Sequence, residues 1–238
     1  MLALAVCAVS LALPTVAAAN TDEWTISTYV KIKGGANWTR SRDVGVTYCG
    51  YNNHPWGGMT CVWMKDYMLG NSADSMSEWK PYLGDHNHES VPNNPGIDSI
   101  TLTSGDGKKT VYAIYSARAV NIVLAEPVSP MFHDHITLDT HGPTTLAPRA
   151  ASCRKGAYVT LKYRVNDKLS PKARVTILIK RGTTIKKTLA LGLRPTGKLL
   201  GKRFKCTLAK GRYTFVVKAK DLAGNPAEKI GRNTLTVT

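Results

Sequence analysis

Hydrophobic and polar residues alternate along many short segments of this chain. In residues 158–165 (YVTLKYRV) and again in residues 174–180 (RVTILIK), apolar residues recur at every second position. Because successive side chains of a β-strand point to opposite faces of a sheet, this pattern predicts strands with one buried and one exposed face. No stretch has sustained helical spacing, although a short helical turn fits residues 75–79. The chain is therefore predicted to be all-β.

The predicted strands are short, rich in Val, Ile, Thr and Tyr, and separated by turns that contain Gly or Asp. They lie at residues 24–33, 44–49, 60–65, 99–103, 110–116, 121–125 and 135–138, and then at 158–165, 174–180, 185–191, 200–208, 213–220 and 234–237. Six or seven such strands in roughly 100 residues are typical of a β-sandwich. The 238 residues are enough for two sandwiches of this size.

The best boundary between the two is the segment DTHGP at residues 139–143, which follows a strand and ends in a Gly-Pro breaker. Charge changes sharply across it. Residues 20–142 contain 9 Lys and Arg against 13 Asp and Glu, and residues 143–238 contain 23 against 3, so the two halves carry −4 and +20. We therefore expect two domains, residues 20–142 and 143–238.

The first 19 residues, MLALAVCAVSLALPTVAAA, have no charged side chain and end in small residues. An apolar run that closes on an A-x-A pattern predicts a secretory signal peptide, cleaved after Ala19. The alternative is an uncleaved membrane anchor, which the length permits. Cleavage would leave a secreted or cell-surface protein with no transmembrane span in its mature chain.

Four cysteines follow the predicted signal peptide, and an even number in an exported chain suggests disulfides. The charge boundary places two cysteines in each half, so the preferred pairing is Cys49–Cys61 with Cys153–Cys206. The alternative is four buried free thiols.

The first half contains the segments WKPY at 79–82, LTSGDGKKTVY at 102–112 and DHITLDT at 134–140. These segments resemble a bacterial immunoglobulin-like repeat found in extracellular and surface proteins. The second half is similar to immunoglobulin-like modules of the Fn3 or flagellar-hook-capping type, through VTLKYRVND at 159–167 and YTFVVKAKDLAGN at 213–225. The resemblance implies tandem immunoglobulin-like β-sandwich domains that serve as spacers, adhesive units or accessory domains. Residues 117–121 (ARAVN) depart from the D-A-A-G-N turn of the repeat.

The basic half is the strongest functional signal. Its formal charge of +20 far exceeds the magnitude of about 2–8 typical of a small soluble domain, and such a field attracts polyanions. The candidate contacts are Lys162, Arg164, Lys180, Arg181, Lys186, Lys187, Lys202 and Arg203.

The expected partner is an anionic cell-envelope polymer or polysaccharide. The alternative is a highly soluble surface without a fixed partner. Aromatic residues are not interleaved with the basic clusters, so sequence-specific nucleic-acid binding is not expected.

Two further features are weaker. The pairs His86–His88 and His133–His135 have the spacing of residues on one strand face, but zinc needs three or four ligands, so solvated histidines are preferred over a metal site. The loop between Cys49 and Cys61 contains Tyr51 and Trp56, whose rings could stack on sugars or plug the end of a sandwich.

The sequence contains no G-x-S-x-G, phosphate-binding loop or dinucleotide fingerprint. We therefore predict a non-enzymatic binding or structural protein without a cofactor. It is expected to associate non-covalently with an anionic envelope polymer. If it has a protein partner, that partner is expected to be another surface protein. The alternatives are an accessory or spacer module of a separate enzyme or adhesin, and a metal-dependent hydrolase that uses the histidine pairs.

Overall fold

The structure is a computed structural model that describes the backbone of residues 25–53, 59–60, 64–81, 96–117 and 129–238, and side chains within these ranges except at several positions in the first half. The described residues form β-strands joined by turns and loops. The strands are β1 (Thr25–Ile32), β2 (Trp38–Thr39), β3 (Asp43–Asn53), β4 (Met59–Thr60), β5 (Met64–Ser72), β6 (Ser75–Met76), β7 (Lys80–Pro81), β8 (Gly96–Thr101), β9 (Gly107–Ala117), β10 (Phe132–Leu138), β11 (Thr144–Leu146), β12 (Ala151–Cys153), β13 (Tyr158–Asn166), β14 (Lys172–Arg181), β15 (Thr184–Pro195), β16 (Leu199–Lys205), β17 (Gly211–Lys220) and β18 (Gly231–Val237).

The described residues of the first half form two sheets. In the 4-stranded sheet, β1 pairs with β3, and β3 also pairs with β4 and β8. The 6-stranded sheet has the order β2-β10-β9-β5-β6, with β7 also paired to β5. Both sheets contribute apolar side chains to one core, for example Ile32 and Val46 from the first and Val111 and Ile136 from the second. The sheets therefore face each other across that core.

The second half also has two sheets, a 3-stranded one in the order β11-β13-β16 and a 5-stranded one in the order β12-β18-β17-β14-β15. Its core is a separate cluster, to which Leu161 and Phe204 contribute from the smaller sheet and Ile177 and Phe215 from the larger. Each sheet thus has one face on the core and the other toward solvent.

For the residues that the structure describes, the prediction of an all-β fold is confirmed, and the long alternating segments lie where expected. The strand expected at 60–65 is divided between β4 and β5, and the helical turn considered at 75–79 is wrong, because Ser75–Met76 forms a strand that pairs with β5. The strand expected at 121–125 lies outside the described residues.

In the second half, two short strands, β11 and β12, were not expected. Each has three residues, too few to show alternation, and Thr145 in the middle of β11 is polar yet buried. Its hydroxyl donates to the carbonyl of Val217 at 2.7 Å and accepts from the amide of Gly231 at 2.8 Å. Tertiary hydrogen bonds, not apolar periodicity, hold this strand in place.

No helix in the described part of the chain is long and apolar enough to cross a membrane. The predicted signal peptide lies outside the described residues, and the boundary at 142/143 stays a prediction.

Candidate functional site

The second half has almost no internal counter-charge. Its three acidic residues all lie at the end that meets the first half: Asp167 and Asp221 adjoin Asp139, and Glu228 accepts from the amide of Gly142 at 3.0 Å. In the described part of the chain, no Lys or Arg of residues 143–238 forms an ion pair with a carboxylate. By contrast, Lys80 in the first half pairs with Asp98 at 2.8 Å. The basic surface is therefore unneutralised except at one end.

The solvent side of the smaller sheet carries a group of cations that we call the three-strand face, formed by Lys162, Arg164, Arg203 and Lys205. They alternate along β13 and β16 with buried residues such as Leu161 and Phe204. The guanidinium of Arg203 lies over the ring of Tyr158, 4.2 Å from its centre, which gives this side chain a fixed support.

The solvent side of the larger sheet carries a second group, the five-strand face, formed by Lys172, Arg174, Arg212, Lys218, Lys220 and Arg232. Arg174 of β14 lies directly opposite Lys220 of β17, and Thr176 opposite Lys218. Like charges directly opposed on neighbouring strands are unfavourable. An anion bound over this pair would relieve the repulsion.

The predicted polyanion contacts are divided among different surfaces. Lys162, Arg164 and Arg203 share the three-strand face, whereas Lys202 points to the other side of β16, opposite Leu161.

Two predicted pairs lie at strand ends and edges. Lys180 and Arg181 end β14, with the guanidinium of Arg181 6.0 Å from the ring centre of Tyr213. Lys186 and Lys187 lie on β15, at the edge of its sheet, and Lys187 approaches the ring of Phe204 at 5.6 Å.

The five-strand face was missed from the sequence, apart from the neighbouring Lys180. Part of its signal was present in the alternation of Lys218 and Lys220 with buried Val217 and Ala219. The opposition of Arg174 and Lys220 depends on the pairing of β14 with β17, which no local pattern specifies.

Where the two halves meet, Asp139, Asp167 and Asp221 bring carboxylate oxygens within 4.8 Å of one another. Burial first, and then the charges of Asp167 and Asp221, raise the pKa of Asp139 to about 6. The cluster borders a cleft of about 640 Å³ that is also lined by Arg42 and Asp106. Carboxylates are oxygen ligands of the kind that Ca²⁺ binds, but acidic groups also cluster without an ion, and this arrangement alone assigns none.

Asn225 joins the segments on either side of this cluster. Its amide nitrogen Nδ2 donates to the carbonyls of Asp139 at 2.7 Å and His141 at 3.2 Å, and to Oδ2 of Asp221 at 2.8 Å. Its backbone amide donates to Oδ1 of Asp221 at 2.8 Å. A buried side chain thus connects the end of the first half to the turn after β17.

His133 and His135 lie on the same side of β10, with ring centres 5.0 Å apart. Desolvation, and then the charges of Lys108 and His133, lower the pKa of His135, and Nδ1 of His135 is hydrogen-bonded to the hydroxyl of Thr110 at 2.9 Å. These two histidines belong to no group of three metal-ligand side chains in the described part of the chain. His86 and His88 lie outside it.

Cys153 and Cys206 are in contact as free thiols, with a hydrogen bond between their side chains. Burial and this hydrogen bond raise the pKa of Cys153 to about 11. The predicted disulfide between them is not formed in this structure, in which both cysteines are free. The Cys153–Cys206 disulfide stays a prediction.

The remaining predicted residues fall where the side chains are not described. Cys61 and Trp56 lie outside the described residues, and for Cys49 and Tyr51 only the backbone of β3 is described. Both the Cys49–Cys61 disulfide and the sugar-stacking loop stay predictions.

No protein-family model matches the chain, and no curated protein matches it. Similar solved structures include a chain from a 1.5-MDa bacterial ice-binding adhesin, with 15% identity and a TM-score of 0.48, over 92% of this chain and 66% of that one. Another is the human OSCAR ligand-binding domain, with 13% identity and a TM-score of 0.34, over 88% and 97%. A third is a tetra-tandem repeat in the extending region of a large adhesion protein, with 14% identity and a TM-score of 0.30, over 89% and 49%.

The present chain thus spans just under two thirds of the adhesin chain. At these identities and TM-scores, the likenesses carry no argument about the ligand, partner or location of this chain.

Proposed function

We propose that the protein is an exported, non-enzymatic cell-surface protein of two tandem immunoglobulin-like β-sandwich domains, residues 20–142 and 143–238. The strand order of the second half supports this class. The chain crosses from the β11-β13-β16 sheet to the larger sheet after β13, returns after β15 and crosses again after β16. Mostly antiparallel sheets joined by such crossings are typical of immunoglobulin-like sandwiches.

Tyr213 gives a second, local support. It is buried near the start of β17, a central strand of the larger sheet, and its hydroxyl donates to the carbonyl of Ala209 at 2.7 Å. In immunoglobulin-like domains a tyrosine near the start of the corresponding strand hydrogen-bonds to the backbone a few residues upstream.

Two separate cores support the proposed boundary. The buried apolar cluster of the first half ends at Leu138, and that of the second begins at Ala147. The segment between them contains the predicted linker, residues 139–143.

The functional part of the proposal is that the second domain holds the protein to an anionic cell-envelope polymer or polysaccharide. The observation that carries it is the solvent-facing cations of residues 143–238, whose acidic residues are confined to the junction. When unpaired Lys and Arg side chains neutralise a polyanion, the counterions condensed on the polyanion are released, which favours association at low salt. The alternative is an accessory or spacer module that works beside a separate enzyme or adhesin.

The test is retention of the protein on isolated cell envelopes and on immobilised polyphosphate over a salt series. We expect tight retention at low salt and steep release as salt rises, because exposed charges are screened and counterions compete. The variant with Lys186→Gln and Lys187→Gln should release at lower salt.

The matched control carries Lys108→Gln and Lys109→Gln, which removes the same charge from an adjacent pair in the first half and should behave as wild type. Absence of binding at low salt would contradict the polyanion proposal and leave the accessory-module alternative. Equal effects of the two variants would show that net charge, not the second domain, governs retention.

A further inference from the structure

The two basic faces of the second half point in opposite directions. Leu161 and Phe204 of the smaller sheet and Ile177 and Phe215 of the larger sheet belong to one core. The residues that alternate with them along the same strands therefore face away from that core on opposite sides of the molecule. Packed sheets lie about 10 Å apart, so the charged ends of the side chains on the two faces are separated by more than that distance.

Neither face is neutralised from within. Asp167 and Asp221 are engaged at the junction, where Asp167 accepts from the amides of Leu169 and Ser170, and Asp221 accepts from Asn225. Glu228 contacts the junction as well. Each face therefore presents several cations to solvent without a carboxylate of its own domain among them.

The distribution also distinguishes between kinds of anionic partner. A lipid surface is flat and reaches one side of a small domain, so it leaves the cations of the opposite side unused. Linear polymer chains can approach both sides independently. The two basic faces lie back to back, with Lys162, Arg164 and Arg203 on one side and Arg174, Lys218 and Lys220 on the other. This arrangement thus complements two polymer chains better than one membrane.

We propose that the second half binds two linear polyanions at once, one on the three-strand face and one on the five-strand face, and so bridges them. This inference rests on the proposed function, and it makes the protein a cross-linker of anionic polymer as well as a ligand of it.

The experiment is a two-chain capture assay with the full protein. Short-chain polyphosphate is immobilised, the protein is bound at low salt, and fluorescently labelled polyphosphate of the same length is added. Wild type should retain the labelled chain. Short chains are used because they cannot wrap from one face to the other.

Two variants separate binding from bridging. One carries Lys162→Gln, Arg164→Gln and Arg203→Gln, and the other Arg174→Gln, Lys218→Gln and Lys220→Gln. Each should still bind the immobilised polymer through its intact face but retain at least about fivefold less labelled chain, because the second contact has lost three charges. The combined variant should lose bridging and should release the immobilised polymer at lower salt than either single-face variant. The control removes three charges from loops, with Arg149→Gln, Arg154→Gln and Lys210→Gln, and should bridge normally.

Failure of bridging and failure of binding give different results. If wild type binds immobilised polymer but retains no labelled chain, the bridging proposal is overturned and the proposed function stands. Undiminished bridging by both face variants, or bridging only by an oligomer detected in light scattering, would also overturn it. If wild type does not bind polyphosphate but binds vesicles containing phosphatidylserine, the faces belong to a lipid surface and both proposals are wrong as stated.

Discussion

Asp139 is a carboxylate that the fold holds in an unfavourable electrostatic setting. Only 2% of the residue is exposed, and Asp167 and Asp221 are close to it. Its folded-state pKa of about 6 exceeds the ordinary value of 3.8, so the fold prefers the protonated form. Its favourable contribution to stability is therefore complete below about pH 4 and is lost as the pH rises through about 6.

Asp139→Asn should remove this dependence. With a chelator present, the variant should be more stable than wild type at pH 7.5, by about 1–3 kcal/mol, and nearly equal to it at pH 4. Thermal unfolding followed by circular dichroism at the two pH values measures the difference. Asp74→Asn, at an exposed turn, should show no such pH-dependent gain. A loss of stability at both pH values would mean that the ionised carboxylate is stabilised in the fold.

At the same scale, the sequence predicted part of the basic surface. The alternation of residues 158–165 placed Lys162 and Arg164 on one exposed face, as the structure has them. Lys202 and Arg203 were grouped as neighbours in sequence, although adjacent residues of a strand face opposite sides. The environment of Asp139 depends on carboxylates far away in sequence, which alternation does not bring together.

At the scale of strands, the hydroxyl of Tyr213 holds the loop before β17 to that strand by a hydrogen bond. Tyr213→Phe keeps the buried ring and removes the hydrogen bond to the carbonyl of Ala209. We expect the free energy of unfolding to fall by about 1–2 kcal/mol, measured by urea denaturation.

The matched control is Tyr158→Phe. Tyr158 is 59% exposed, so loss of its hydroxyl should cost little, and the phenyl ring can still support Arg203. Equal stability of Tyr213→Phe and wild type would remove the support that this tyrosine gives to the immunoglobulin-like assignment.

Among the strands, period-two alternation was sufficient to find the long ones, such as β13, β14 and β17, because their burial follows the same period. It could not find β11, whose central Thr145 is held by its hydroxyl, nor the order of strands in each sheet. Order is set by long-range pairing, and pairing is what creates the opposition of Arg174 and Lys220.

For the whole molecule, the side chain of Asn225 connects the two halves directly. Asn225→Ala would leave the carbonyls of Asp139 and His141 without their amide donor. We expect a loss of about 2–3 kcal/mol in unfolding free energy and faster proteolytic cleavage near residues 139–143. Both are measured on the full protein.

Asn233→Ala is the control, because its side chain donates to the carbonyl of Ala147 and accepts from the amide of Thr234, both within the second half. It should lower stability less and leave the rate of cleavage at residues 139–143 unchanged. Cleavage that is equally slow in wild type and Asn225→Ala would show that the segment is held by other contacts.

The opposition of Arg174 and Lys220 has a consequence for how the protein responds to its medium. Dissolved salt and a bound polymer both act as counter-charge for the same cations, so each relieves the same internal repulsion. In dilute water the repulsion between these cations is strongest in the unbound protein, so a bound polyanion would stabilise it most there. At high salt, dissolved ions screen the repulsion, and the protein would be released from the polymer. Salt would thus replace the polymer as the counter-charge that stabilises the fold. Attachment and folding stability would therefore depend on the same cations.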